Sequence, residues 1–274
     1  KVLPTIEKLY YMKEILFMSE KKLYNKYSDY LKNKYGEKVY KLPINLPITC
    51  PNRVGANGCS FCAEKGTGFE ALSEQISVQE QILRTKELIH SKYKANKFIA
   101  YFQNYTNTFL PLEQFEMFIK EAAQIEDIVE ISISTRPDCI HTSYLDALLK
   151  IKQEYNVNIH IELGLQTVNY HTLDANDRGH GLAEFIDAVM QIKTYPFTIC
   201  AHVILNLPQD NLRDSIETAK IISALHVDVV KLHSLYIAKN TKLSMQYKNG
   251  TIKICSKDEY LNRLNQDVVY GFDE

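Results

Sequence analysis

Residues 39–62 read Val39-Tyr-Lys-Leu-Pro-Ile-Asn-Leu-Pro-Ile-Thr-Cys50-Pro-Asn-Arg-Val-Gly-Ala-Asn-Gly-Cys59-Ser-Phe-Cys62, a strand-like run that leads directly into three cysteines. Pro43 and Pro47 are unsuited to a central ladder position. The thiols follow a C-x8-C-x2-C spacing, and Gly55 and Gly58 let the backbone turn back on itself. Thiolate favours soft metal: iron–sulfur, zinc or cuprous copper. A structural zinc site is normally closed by four protein ligands, and a plain electron-carrying cluster takes four thiolates. Three local thiolates therefore point to a cluster with one iron open to a ligand that is not protein. Zinc, or another plain structural site, remains the alternative reading.

At 274 residues, with 45% hydrophobic and 24% charged positions, the chain is long enough for one large core and has an ordinary globular composition. No run approaches the roughly 20 apolar residues of a membrane span, and the lysine-rich start does not resemble a signal peptide. Six cysteines without an export signal imply a reducing, cytoplasmic setting, where thiols bind metal rather than pair. Neither a membrane nor a DNA partner is expected.

The net charge is −1, unevenly spread: residues 1–41 hold ten lysines and five acids, leaving −6 for the rest. Tyr10, Tyr11, Tyr24, Tyr27, Tyr30, Tyr35 and Tyr40 are interleaved with those lysines. Such a mixture engages phosphates and stacks on exposed bases, or else forms a solvated amphipathic arm.

Beyond the cysteines the chain alternates. Strands are expected at 97–103, 128–134, 157–164, 197–205 and 228–236, as continuous apolar runs of the kind that two-sided burial requires. A helix opens at Ser77, with Glu80 in the capping-box position. Further helices are expected at 112–126, 142–155, 182–193 and 212–226, with cap-like starts at Ser143/Asp146 and Asn211/Asp214. Residues 5–35 read as helical, ended by Gly36. The pattern is α/β: a partial (β/α)6 TIM-like barrel behind an N-terminal helical extension. The expected divisions are 1–38, 39–245 and a C-terminal extension, 246–274. Six polar clusters follow the strands: the cysteine loop, Gln103–Asn107, Ser134–Arg136, Glu162–Gln166, Asn206–Pro208 and His233–Tyr236. Parallel α/β folds gather such clusters on one rim.

A three-cysteine motif after the first strand of a six-unit β/α chain resembles the radical S-adenosylmethionine (SAM) superfamily. Most members use C-x3-C-x2-C, and the longer first spacing is closer to the Elongator-like branch. Tyr35-Gly-Glu-Lys-Val39, Thr49-Cys-Pro-Asn-Arg53, Tyr101-Phe-Gln-Asn-Tyr-Thr-Asn-Thr108, Ser134-Thr-Arg-Pro-Asp138, Glu162-Leu-Gly-Leu-Gln166, Arg178-Gly-His180 and Lys231-Leu-His233 together resemble the YtqA/YhcC-type radical SAM proteins. The resemblance implies that Cys50, Cys59 and Cys62 ligate a [4Fe–4S] cluster and that SAM binds its fourth iron. Reductive cleavage of SAM would then give a 5′-deoxyadenosyl radical that abstracts hydrogen from substrate. It also implies a one-electron donor, such as ferredoxin or flavodoxin, and a tRNA substrate modified at the C5 side chain of the wobble uridine.

Roles for the remaining residues follow from that resemblance, each beside a plainer reading. Arg178 is the candidate for the SAM carboxylate, as guanidinium binds carboxylate bidentately; otherwise it pairs with Asp174 or Asp177. Gln103 and Asn104 are candidates for the SAM amino group, and Glu162 and Gln166 for that group or the ribose. Arg136 is assigned to SAM or substrate. His202 and His233 are cofactor contacts or satisfied core histidines, and Tyr236 contacts adenine or simply packs. Cys139, Cys200 and Cys255 read as core thiols. Two other functions remain open: radical SAM chemistry on a metabolite or protein, and a metal-stabilised RNA-binding module.

Overall fold

A computed structural model of the chain describes residues 26–63, 66 and 71–271. The chain divides into two units, residues 1–39 and 40–274. In the first, α1 (Tyr27–Tyr35) stops at Gly36, whose φ of 80° forms a left-handed cap with its N–H on Lys32 O. Residues 5–25 of the expected helix, and most of the basic tyrosine-rich arm, lie outside the described residues.

The sheet has six strands in sequence order: β1 (Val39–Ile44), β2 (Lys97–Phe102), β3 (Ile128–Thr135), β4 (Asn158–Gln166), β5 (Thr198–Ile204) and β6 (Val229–His233). Neighbours from β2 to β6 pair in parallel, and the six strands form a curled half-barrel. The helices that cover it are α2 (Val78–Tyr93), α3 (Leu112–Ala123), α4 (Thr142–Tyr155), the short α5 (Tyr170–Ala175), α6 (Leu182–Ile192) and α7 (Leu212–Ala224), followed by α8 (Lys242–Lys248) and α9 (Lys257–Gly271). Ser77 caps α2 by accepting from Glu80 N, and Asn211 with Asp214 forms the capping box of α7. The cap expected at Ser143 is absent: α4 begins at Thr142, His141 provides no side-chain cap, and Asp146 accepts from Tyr195 Oη at 2.8 Å instead. α9 packs against α7, and Arg263 Nη1 ties it to Leu205 O at 2.9 Å.

Successive strand residues point to opposite faces, and here the two faces differ. On the outer face Leu42, Phe98, Phe102, Ile131, Ile133, Ile161, Leu163 and Ile199 pack against Ile82, Phe115, Ile119, Leu145, Phe185 and Val189 of the helices. Each of these side chains is essentially fully buried, worth roughly 1.5–3 kcal/mol. The inner face carries Lys41, Tyr101, Ser132, Ser134, Glu162, Cys200, His202, Lys231 and His233. The strands are thus buried on both sides, as expected for β2 to β5, but their inner side is polar; edge strand β6 is only half-buried. Pro43 sits in β1, at the other edge. Among the described residues no helix is long and apolar enough to cross a membrane.

Candidate active site

The cysteine loop leaves β1 through a single 3-10 turn, Pro51–Arg53, and positive φ at Gly55 and Gly58 folds it back over the carboxyl ends of the strands. Cys50, Cys59 and Cys62, all free thiols, line one cleft there. Each sulfur faces a nitrogen donor. Arg53 Nη2 lies 3.3 Å from Cys62 Sγ, Arg178 Nη1 3.6 Å from Cys59 Sγ, and Arg136 Nη1 3.9 Å from Cys50 Sγ. Asn52 Nδ2 adds a second donor to Cys59 at 3.4 Å. Three guanidinium groups against three sulfurs match an anionic thiolate set. Burial outweighs the hydrogen bond and charge of Arg53 and holds the Cys62 thiol above its usual value, so it is a bound metal that would take it as thiolate.

The arginines are held from behind. Arg136 is bidentate on Asp138, at 2.9 and 2.7 Å, and donates to Arg178 O at 2.9 Å. Arg178 Nη2 donates to Gly164 O at 2.7 Å. Arg53 lies 5.5 Å from the Tyr105 ring centroid. Glycine makes room: a Cβ on Gly164 would lie 2.6 Å from Arg178 Nη2, and one on Gly179 (φ 73°) would lie 2.3 Å from Asn52 Oδ1. Arg53 Nε and Arg178 Nε are buried without an acceptor among the described residues. Such atoms are costly unless a bound group accepts from them. This donor set fits a three-thiolate cluster with an anionic ligand beside it.

The floor of the cleft is built on Glu162, whose side chain is fully buried at the middle of β4. Its Oε1 accepts from Ser132 Oγ at 2.6 Å and from Lys41 Nζ; its Oε2 accepts from His202 Nε2 at 2.6 Å and Tyr101 Oη at 3.0 Å, with Lys231 Nζ at 3.6 Å. Burial alone would push this carboxyl up. The His202 hydrogen bond, Lys41 and Lys231 outweigh burial and hold it well below the usual carboxylate range. Burial lowers His202 and takes His233 to about 4, so both rings are neutral near pH 7. His202 Nδ1 lies 3.3 Å from His233 Nε2, which extends the chain toward the cleft. Donor atoms of Glu162, Cys200 and His202 lie within 4.8 Å of one another. Two ammonium groups already neutralise that carboxylate, so the trio has no net negative charge to attract a cation.

The residues singled out in the sequence divide clearly. Gln103, Arg136, Glu162, Gln166, Arg178, His202 and His233 line the cleft with the three cysteines. Gln166 does so on a left-handed backbone (φ 78°), a conformation that costs roughly 1–3 kcal/mol and clusters at functional sites. Asn104 is buried beside Gly66 and does not line the cleft. Tyr236 is 76% exposed and also lies outside it. Asn206 holds the rim instead, accepting from Leu235 N at 2.5 Å. Sequence reasoning assigned no role to Lys41, Asn52, Arg53, Tyr101, Ser132 or Lys231. Arg53, Tyr101 and Lys231 stand inside the quoted motifs, and Lys41 is a charge within an apolar strand, so a signal was there.

Comparison with known proteins agrees with this geometry. Residues 45–222 match the radical SAM superfamily, and residues 227–268 match its C-terminal domain. The chain is similar to YtqA of Bacillus subtilis, at 32% identity over 248 residues, covering 89% of this chain and 76% of that protein. A Methanocaldococcus jannaschii protein named tRNA uridine(34) acetyltransferase matches at 24% identity over 155 residues, 54% of this chain and 28% of its own. The solved structure of Methanocaldococcus infernus Elp3 superposes with a TM-score of 0.64 at 17% identity, covering 84% of this chain and 53% of that chain.

Proposed function

The chain belongs to the radical SAM superfamily, among proteins of the YtqA and YhcC type, and from that premise we propose that it modifies tRNA at the C5 side chain of the wobble uridine, converting carboxymethylaminomethyl-uridine and water to aminomethyl-uridine and glyoxylate, with SAM as the two-electron oxidant that leaves as methionine and 5′-deoxyadenosine. Members of the superfamily use a [4Fe–4S] cluster and SAM. When bound, these supply a reducing electron and hydrogen-atom abstraction from substrate. The electron would come from a small donor protein such as ferredoxin or flavodoxin.

The chain's own residues take these parts. Cys50, Cys59 and Cys62 hold the cluster, and Arg53, Arg136 and Arg178 stabilise its sulfur charge. Arg178 Nε and Gln166 are offered to the carboxylate and amino groups of SAM, and Gln103 joins them from the end of β2. The Glu162 carboxylate, engaged by five protein groups, is a structural anchor that orients Lys231, Tyr101 and His202 rather than a ligand of SAM.

The observation that carries the reading is this floor. Lys41 and Lys231 offset the one buried carboxylate, Lys231 lines the cleft, and His202 and His233 stay neutral, so the floor presents an ammonium group and no unbalanced negative charge. That suits an anionic substituent such as carboxymethyl. The similarity to a relative named for uridine 34 of tRNA supports the same substrate. Anticodon bases are unstacked and able to enter a pocket. Anaerobically reconstituted protein should be mixed with SAM, dithionite and tRNA bearing the carboxymethylaminomethyl group. Nucleoside mass spectrometry is expected to show its loss and the gain of aminomethyl-uridine; unchanged nucleosides alongside 5′-deoxyadenosine would refute the substrate.

A further inference from the structure

Residues 229–257 contain six lysines (231, 239, 242, 248, 253 and 257) and no Asp or Glu, in a chain whose net charge is −1. This acid-free segment lies on the cleft rim. Leu235 N donates to Asn206 Oδ1 at 2.5 Å beyond β5, and Leu243 N donates to Ser60 O at 2.9 Å between Cys59 and Cys62. Lys242 Nζ pairs with Asp177 Oδ2 at 2.6 Å, one residue before Arg178. The segment thus runs from β6, at one sheet edge, to the cysteine loop that follows β1 at the other.

Its anchoring residues are apolar or small, with Ala238, Leu243 and Ser244 buried and Thr241 capping α8. Its outward side carries Tyr236, 76% exposed, and Tyr247, 53% exposed. Lys239, Lys248 and Lys253 are exposed and pair with no acidic side chain among the described residues. Lys231 and His233, at its start, line the cleft itself. Exposed lysines attract phosphates at any sequence, and exposed tyrosines stack on bases that are unpaired. A duplex or an acidic peptide would leave the rings unused.

We propose that residues 234–257 form a docking surface for single-stranded RNA, on which lysines contact the phosphates of a tRNA loop, Tyr236 and Tyr247 stack on its bases, and one nucleotide is delivered past Lys231 into the cleft. The inference rests on the tRNA reading above and gives it a place on the molecule.

The test uses the full, cluster-loaded chain under anaerobic conditions, with tRNA, an RNA duplex and polyglutamate as probes in a salt series. Wild-type protein is expected to prefer tRNA. The K239E/K248E/K253E variant should lose at least roughly tenfold in affinity, and its salt slope should shrink by about 0.7 for each single-strand phosphate it no longer neutralises. The Y236A/Y247A variant should lose roughly tenfold per ring, with Y236F/Y247F retaining binding. All variants should keep wild-type 5′-deoxyadenosine formation in the absence of RNA, which shows that they fold. Variants that bind tRNA as wild type does would overturn this surface and leave the tRNA reading standing. Wild type without tRNA affinity at low salt would overturn both. Equal binding of polyglutamate or duplex, abolished in the same variants, would overturn the single-strand assignment.

Discussion

Arg178 places Nη1 3.6 Å from the Sγ of Cys59 while its Nη2 donates to Gly164 O at 2.7 Å. One guanidinium therefore joins the cysteine loop to the end of β4. Positive charge and hydrogen bonds at sulfur favour the reduced, more negative form of a cluster. Arg178→Gln is expected to lower the cluster's midpoint potential, by about 59 mV for every 1.4 kcal/mol of stabilisation removed in this one-electron couple. A potentiometric titration followed by electron paramagnetic resonance reads the shift, and an unchanged potential would remove Arg178 from that role.

Gly164 is the point where the backbone admits that guanidinium. A methyl group there would lie 2.6 Å from Arg178 Nη2. Gly164→Ala should displace the side chain and destabilise the fold by about 1–3 kcal/mol, the usual cost of overpacking. Thermal melts, together with iron content after gel filtration, measure both effects.

Replacement of Glu162 by Gln removes the carboxylate that Lys41 and Lys231 share. Breaking a buried pair costs roughly 3–5 kcal/mol, and the partial exposure of both lysines puts this case at the low end. For a domain of this size that is a fall in Tm of about 6–12 °C. A melt within experimental error of wild type would show that the network contributes nothing to stability.

Acidification has a definite sign. Burial, with Arg178, takes His180 to about 4, and burial, with His202, takes His233 to about 4, both from 6.5. The unfolded chain therefore takes up two protons that the fold refuses, and stability falls as pH drops from about 6.5 to about 4. Asp210 opposes this: burial raises it from 3.8 to about 6, so its folded form protonates first and gains stability over the same interval. Two histidines against one aspartate leave a net loss on the order of 4 kcal/mol at 1.36 kcal/mol per pKa unit. Below about pH 4.5 the depressed carboxyl of Glu162 adds to the loss. Urea unfolding of the apoprotein between neutral pH and about pH 4 should show a monotonic decline.

Much of this was legible in the chain itself. The β/α alternation was plain because outer-face residues such as Ile131, Ile161 and Phe185 make long apolar runs, and the polar turns after each strand marked the rim. The cysteine spacing announced a metal centre because three thiols within thirteen residues can hardly avoid one another. Partnerships were less visible. Lys41 meets Glu162 across 121 residues of sequence, and Arg53 reaches Cys62 only because Gly55 and Gly58 fold the loop back. The polar inner face of the sheet was hidden for another reason: Ser132 and Ser134 interrupt β3 too lightly to break its apolar reading. At α4, Asp146 was expected near a cap, but its position lets it bond Tyr195 instead.

The most direct measurement is of iron at Cys50, Cys59 and Cys62. Anaerobically reconstituted, dithionite-reduced protein is expected to give the paramagnetic resonance of a [4Fe–4S]+ cluster that changes when SAM is added, with formation of 5′-deoxyadenosine. The same experiment on Cys59→Ala should give neither. Tetrahedral zinc bound by these thiols, or a cluster signal indifferent to SAM with no 5′-deoxyadenosine, would contradict an iron left open by three sulfur ligands.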